Sequence, residues 1–325
     1  MKTSEKILNF IQKNGSRSID DLTSIFNHSR QYIHRIVKEL VEEKRLVKIG
    51  TAPQVFYNFP TTQKETEEEL IAYDKEQFLN QHLLIVDALG NKLEGEKAMR
   101  YWASNQNLPF TKTVNEFIAT RQKYLALFNA QQLIDGIGKL QNTKGIGDIG
   151  VDEFYYLDFY AIERFGKTHL GCLMHYAKQG QNKQLMKIIV DEIKNRLKHF
   201  IAENNIEAMV YVPATIKRQV QIMSYFEKNL DLNLPKITVK KISNAIIIPQ
   251  KALSKLFERV ANAKNTFIVP DQKAYKKILI FDDAVGSGAT INEIALKIKS
   301  KKLATHIVGL AVTGSYKGFE VISEL

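Results

Sequence analysis

A chain of 325 residues exceeds the roughly 100–200 residues of one ordinary domain, so two or three units are expected. Hydrophobic residues at 44% and charged residues at 25% fit a globular chain with a sizeable core; no apolar run approaches the ~18 residues of a membrane span, and the first ten residues carry charges where a signal peptide has an apolar stretch, so neither membrane insertion nor secretion is expected. The single cysteine, Cys172, excludes an internal disulfide and a cysteine-rich zinc module and suits a cytoplasmic location, while the net charge of +11 draws nucleic acid or phosphorylated small molecules.

The charge is uneven. Residues 1–60 carry 10 basic and 6 acidic side chains, residues 61–150 carry 10 and 12, and residues 151–325 carry 26 and 17. The two ends therefore attract anions and the middle does not.

In the first segment Ile7, Leu8 and Ile11 recur at helical spacing, and Asn14-Gly15 stops that helix. Ser18 stands three positions before Asp21, the spacing of a capping box, ahead of a helix carrying Leu22 and Ile25. A third helix is expected from about Ser29, burying Ile33, Ile36, Val37, Leu40 and Val41. Its outward residues are Arg30, Gln31, Tyr32, His34, Arg35 and Lys38. Two alternating runs around Thr51 to Gln54 then read as a hairpin, with Lys48 on its first strand.

This order resembles the winged helix domains of bacterial transcription regulators over nearly all of residues 1–60. The resemblance implies DNA binding, with Ser29, Arg30, Gln31, Tyr32, His34, Arg35 and Lys38 at the major groove and Lys48 at phosphates. A winged helix that binds a protein partner would show the same pattern.

Residues 61–150 open on an acidic run, Glu65 and Glu67 to Glu69, and continue as helical patterns over 78–89, 97–103 and 114–128. They are expected to form a helical linker or middle region, with Trp102 in a core. The glycines at 145, 147 and 150 follow no strand and miss the dinucleotide fingerprint, so a flexible boundary is expected there.

The chemistry is concentrated in residues 277–291. Ile278 to Phe281 make a buried strand and Asp282 and Asp283 are expected to end it. The loop Ala284-Val285-Gly286-Ser287-Gly288-Ala289-Thr290 leads into a helix carrying Ile291, Ile294, Ala295 and Ile298. Ligands of open α/β sheets bind where strands end and helices begin. A helix N-terminus there suits a phosphate, and two carboxylates suit ribose hydroxyls or a hydrated Mg2+ ion.

These residues match the phosphoribosyl pyrophosphate (PRPP) motif of type I phosphoribosyltransferases. Over about residues 155–325 the chain is similar to the ComF-like subfamily, named for competence proteins. The match includes Val212-Pro213, Lys217, Arg218, a Gln250-to-Phe267 series and an early segment from Tyr160 to Lys183 with Leu170-Gly171 and Lys178.

The resemblance implies an α/β, parallel-sheet, Rossmann-like domain over 151–325 after a winged helix over 1–60 and a helical segment over 61–150. It implies that Asp282 and Asp283 hold the ribose hydroxyls and the metal, and that Gly286 to Thr290, with Ala284 and Val285, cradle the 5′-phosphate. Pro213, Ala214, Thr215, Lys217 and Arg218 would face the diphosphate, and Lys240, Lys241, Gln250 and Arg259 would belong to or flank a mobile loop over it. Asp282, Asp283 and Arg259 are the catalytic candidates.

The chain departs from the family in three places: it lacks the zinc element, carries Gln219-Val220-Gln221 where the family has Gly-Phe-Asn, and has Gly286 where some purine enzymes place an acidic base. His169, Cys172 and His175 recur every three residues, a spacing that spreads them too far around a helix for one ion, and they are read as packing residues. Three functions are compatible with these residues: a transferase of phosphoribosyl groups, a PRPP-sensing regulator built like the Gram-positive purine repressors, and a competence or phage-defence effector with a protein or nucleic-acid partner. A homodimer is expected in each.

Overall fold

The computed structural model describes residues 2–49, 55–59, 70–143, 146–214, 216, 218–242 and 267–315. The N-terminal unit contains α1 (Thr3–Asn14), α2 (Ile19–Phe26) and α3 (Arg30–Glu42), then β1 (Val47–Ile49) and β2 (Phe56–Asn58). Gly15 ends α1 in the left-handed region at φ 76°, and α2 starts on the expected capping box: Ser18 Oγ accepts the Asp21 N–H at 3.1 Å, and the Asp21 carboxylate accepts the Ser18 N–H at 2.9 Å. The buried side chains Ile7, Leu22, Ile33, Val37, Leu40, Leu46 and Tyr57 form a core of their own. Arg17 pairs with Tyr57 and adds a third edge to the β1–β2 hairpin.

The remainder continues through α4 (Tyr73–His82), β3 (Leu84–Val86), β4 (Lys92–Glu94), α5 (Gly95–Asn105), α6 (Phe110–Leu125), β5 (Ile134–Asp135) and α7 (Ile137–Gln141). It then forms β6 (Glu153–Phe159), β7 (Ala161–Ile162), β8 (Gly166–Lys167), α8 (His169–Gln179), α9 (Lys183–Glu203), β9 (Ala208–Tyr211) and α10 (Ile222–Asn229). The last elements are β10 (Lys240–Lys241), β11 (Phe267–Ile268), β12 (Tyr275–Val285), α11 (Ala289–Ser300) and β13 (Ala304–Gly314).

A mixed five-stranded sheet in the order β5-β6-β13-β12-β9 organises this part, with four parallel strands and β5 antiparallel at one edge. Strand alternation divides β12 between two cores. Ile278 and Ile280 pack with α4 to α7 and α11, while Leu279 and Phe281 pack with α8, α9 and α10. All four side chains are fully buried, as expected of a parallel strand covered on both faces.

Four expectations need correction. The helix expected over 78–89 stops at His82, because Leu84-Ile85-Val86 pairs antiparallel with Lys92–Glu94. The two acids do not end their strand: β12 runs on to Val285, paired in register with Gly314 of β13. Residues 70–143 do not stand apart as a helical linker, since β5 joins the sheet and Leu79, Met99, Phe117 and Leu140 share the core of Phe154 and Ile280. Arg121 of α6 makes a buried two-pronged ion pair with Asp158 of β6, at 3.0 and 2.9 Å.

The fourth correction concerns Gly150, which is docked against α11. Its N–H donates to Asn292 Oδ1 at 2.7 Å, and an added Cβ would come within 2.6 Å of the Leu296 backbone N. Trp102 sits partly buried at the core edge, its ring 4.9 Å from that of Phe165. The wing turn at 50–54 and the acidic run at 65–69 lie outside the described residues.

Candidate functional sites

The C-terminal ends of β9 and β12 and the N-terminus of α11 enclose a cavity of about 130 Å³. Its lining includes Val212, Pro213, Ala214, Ile216 and Arg218 from the segment after β9, Asp282 to Thr290 from the end of β12 and its loop, and Lys178 from α8. Asp282, Asp283, Ala284, Val285, Gly286, Ser287, Gly288, Ala289, Thr290, Pro213, Ala214 and Arg218 are thus brought together around one space. Thr215, Lys217, Gln250 and Arg259 lie outside the described residues. Lys240 and Lys241 form β10, paired with β11, and do not line the cavity.

The two glycines of the loop differ physically. Gly288 caps α11 at φ 79°, where an L side chain is strained, and an added Cβ would come within 2.6 Å of Leu140 Cδ1. At Gly286 the backbone is ordinary and an added Cβ would meet open space. Among the described residues no side chain caps α11, and Ser287 Oγ accepts the Ala289 N–H at 3.3 Å. The positive end of this twelve-residue helix faces the cavity.

The paired acids project differently. Asp283 is buried on the α8 side of the sheet, in an ion pair with Lys178. Asp282 is half-buried, and its Oδ1 accepts the Asp283 N–H at 2.8 Å. Two carboxylates and the hydroxyls of Ser287 and Thr290 are hard oxygen donors, and among the described residues no group of three His, Cys, Asp or Glu could hold a metal ion. Such a donor set fits only Mg2+ that arrives with phosphate oxygens and water in its coordination sphere, with one carboxylate, Asp282 or Asp283, as the protein's contribution.

The C-terminal end of α8 brings to the site Lys178, which belongs to the early segment of the ComF-like resemblance, together with two glutamines that sequence reasoning missed. Besides Lys178, Gln179 Oε1 accepts from Arg218 at 3.1 Å and Gln181 Oε1 accepts the Val220 N–H at 2.9 Å. Gln221 closes the same loop by donating to the Ile216 carbonyl at 2.8 Å. The signal was present in Lys178-Gln179-Gly180-Gln181, a polar helix end at a glycine, but nothing local links it to residues a hundred positions away.

Lys139 of α7 lies near the cavity, donating to the Ser315 carbonyl at 2.6 Å, while Ser315 donates its N–H to the Val285 carbonyl. Burial lowers the Lys139 ammonium to about 8. The three residues at 169, 172 and 175 are occupied separately: His169 Nε2 meets Glu192 at 3.1 Å, His175 Nδ1 meets the Tyr160 hydroxyl at 2.8 Å, and burial pushes the Cys172 thiol up to about 11.

At the N-terminal unit, Arg30, Gln31, His34, Arg35 and Lys38 are exposed on α3, and Lys48 is exposed on β1. Ser29 caps α3, its Oγ accepting the Tyr32 N–H at 3.3 Å, which accounts for that residue structurally. Half-buried Tyr32 lies under the Arg35 guanidinium at 5.4 Å, and Arg30 meets Asp20 at 3.1 Å in a solvent-exposed pair of little strength.

Residues 2–45 match the winged helix-turn-helix DNA-binding family. No curated protein matches the chain. Among the described residues, no helix is long and apolar enough to cross a membrane. The chain is an α/β protein with a mixed five-stranded sheet, and its N-terminal unit is a winged helix-turn-helix DNA-binding domain.

Proposed function

We propose that the chain is a phosphoribosyltransferase-like protein of the ComF type, which binds PRPP with Mg2+ and transfers phosphoribosyl to a base, a nucleotide or a nucleic acid. Its Rossmann-like transferase domain comprises 151–325 together with the strand and helices of residues 70–143 that share its sheet and core, and the winged helix of a cytoplasmic homodimer carries it to DNA as a competence or phage-defence effector. One observation carries this reading: the paired acids, the loop 286–290 and the turn after β9 converge on a single cavity at the carboxyl ends of parallel strands.

Asp282 and Asp283 accept hydrogen bonds from the ribose 2′- and 3′-hydroxyls. The backbone N–H groups at the start of α11 and the hydroxyls of Ser287 and Thr290 receive the 5′-phosphate. Pro213, Ala214 and Thr215 border the diphosphate, with Lys217, Arg218 and Arg259 balancing its charge. Mg2+, when bound, neutralises the diphosphate. A lone pair of the acceptor forms a bond to the anomeric carbon while the bond from that carbon to the diphosphate oxygen breaks, and the electron pair leaves with the diphosphate. Fixed geometry and fixed charge supply most of the acceleration.

A second reading has one observation in its favour. The ionisable residues among the described lining are Lys178, Arg218, Asp282 and Asp283, and the loop has Gly286 where an acidic base would stand. This suits a transcriptional regulator that senses PRPP without turnover. Mg2+-dependent pyrophosphate release from PRPP, with pooled bases, nucleotides and DNA as acceptors, separates the two. Release that Asp282→Asn abolishes establishes the transferase; PRPP binding without release, coupled to a change in DNA affinity, establishes the sensor.

A further inference from the structure

The acid pair already holds a cation of the protein's own. Asp283 projects from β12 toward α8, and its Oδ2 meets Lys178 Nζ; the two side chains are 8% and 23% exposed. Asp282 and Asp283 are successive residues of one strand and leave it toward opposite faces, which disfavours direct chelation of one ion by both. With Lys178 and Arg218 present, the four ionisable groups of the described lining sum to zero charge before any ligand arrives. A bare divalent cation would have to displace the ammonium and would find, among the described lining, two protein carboxylates, where a hard cation seeks about six oxygens.

Resting on the PRPP reading above, we infer that Lys178 is a positioning residue: it is the resident cation of the acid pair, fixing Asp283 to receive a ribose hydroxyl and restricting divalent metal to ions delivered on a phosphorylated sugar. Lys178 substitutes for a protein-held metal at Asp283. Metal then enters as part of the ligand and not ahead of it. Loss of Lys178 should convert a ligand-delivered metal site into one that takes metal alone.

The test is a titration of the full-length protein with Mn2+ alone, followed by electron paramagnetic resonance, for wild type, Lys178→Met, Lys178→Arg and the double variant Lys178→Met/Asp283→Asn. Wild type and Lys178→Arg should leave millimolar Mn2+ free, Lys178→Met should bind it at least tenfold more tightly, and the double variant should lose that gain. Saturable binding of Mn2+ to the wild type, abolished by Asp283→Asn, overturns the inference without recourse to any Lys178 variant. So does a folded Lys178→Met protein that binds Mn2+ no better than wild type.

A parallel titration with ribose 5-phosphate in the absence of metal tests the ligand class. Wild type should bind it and Lys178→Met should bind it about tenfold more weakly. If no form binds the sugar phosphate, the PRPP reading fails, while the Mn2+ comparison still decides what Lys178 does.

Discussion

The loop at 286–290 makes a prediction in which two glycine-to-alanine changes have opposite signs. Gly288 holds φ 79°, and its added Cβ would press on Leu140 Cδ1 at 2.6 Å. The left-handed conformation costs an L residue about 1–2 kcal/mol. Leu140 can move its methyl end, so displacement adds roughly 1 kcal/mol at most and Gly288→Ala should destabilise by about 1–3 kcal/mol. Gly286 has no positive φ and no neighbour within 4 Å of an added Cβ. Gly286→Ala should therefore stabilise by about 0.4–1 kcal/mol through the unfolded chain alone.

Urea denaturation followed by the fluorescence of Trp102 resolves the two changes, because this sole tryptophan packs on the core of the sheet and not on that of the winged helix. The midpoint should rise for Gly286→Ala and fall for Gly288→Ala. PRPP affinity should fall for Gly286→Ala although the fold is firmer, since the methyl occupies space reserved for the phosphate. Equal destabilisation by both changes, or undiminished PRPP affinity of Gly286→Ala, would refute this reasoning.

Four further expectations concern other parts of the molecule. Arg121→Met strands the Asp158 carboxylate in the core and should cost about 3–5 kcal/mol by the same denaturation assay; Arg121→Met/Asp158→Leu should recover most of it. Burial foremost, with the positive charges of Arg121 and His169, lowers His82 to about 4 from 6.5. The unfolded chain then binds the extra proton between those values, and stability should fall by about 1–2 kcal/mol from pH 6.5 to 4, solvent screening included, unless His82→Gln removes the group.

Lys139 titrates near 8 in the fold against 10.5, so stability should rise by about 2–3 kcal/mol from pH 8 to 10.5, a gain that Lys139→Met abolishes. On DNA, four phosphate contacts from one winged helix, Lys48 among them, would give about a 150-fold loss of affinity between 50 and 200 mM salt, and Lys48→Ala should shorten that slope by about one contact.

The legible parts of this chain are those whose physics is local. Gly15, the Ser18–Asp21 capping box and the Ser29 cap mark helix ends within three residues of themselves, so the winged helix could be read directly. Ile278 to Phe281 before two acids and a glycine loop likewise define a buried strand, its turn and the next helix. What resisted reading is non-local. β3, β4 and β5 have three, three and two residues, too few to show a period, and each exists through its partner strand. Arg121 becomes interpretable only beside Asp158, and Lys178 only beside Asp283, pairs separated by 37 and 105 positions. The glycines at 145, 147 and 150 read as a flexible boundary because composition cannot distinguish a free glycine from one required by close packing, as Gly150 is against α11.

The claim that the cavity between β9, β12 and α11 is a PRPP site is tested most directly by calorimetric titration of the full-length protein with PRPP and Mg2+, beside Asp282→Asn and Gly288→Ala. The account predicts saturable binding, one ligand per chain, weakened at least tenfold by each change. Absence of binding by the wild type, or binding that Asp282→Asn leaves intact, would contradict it.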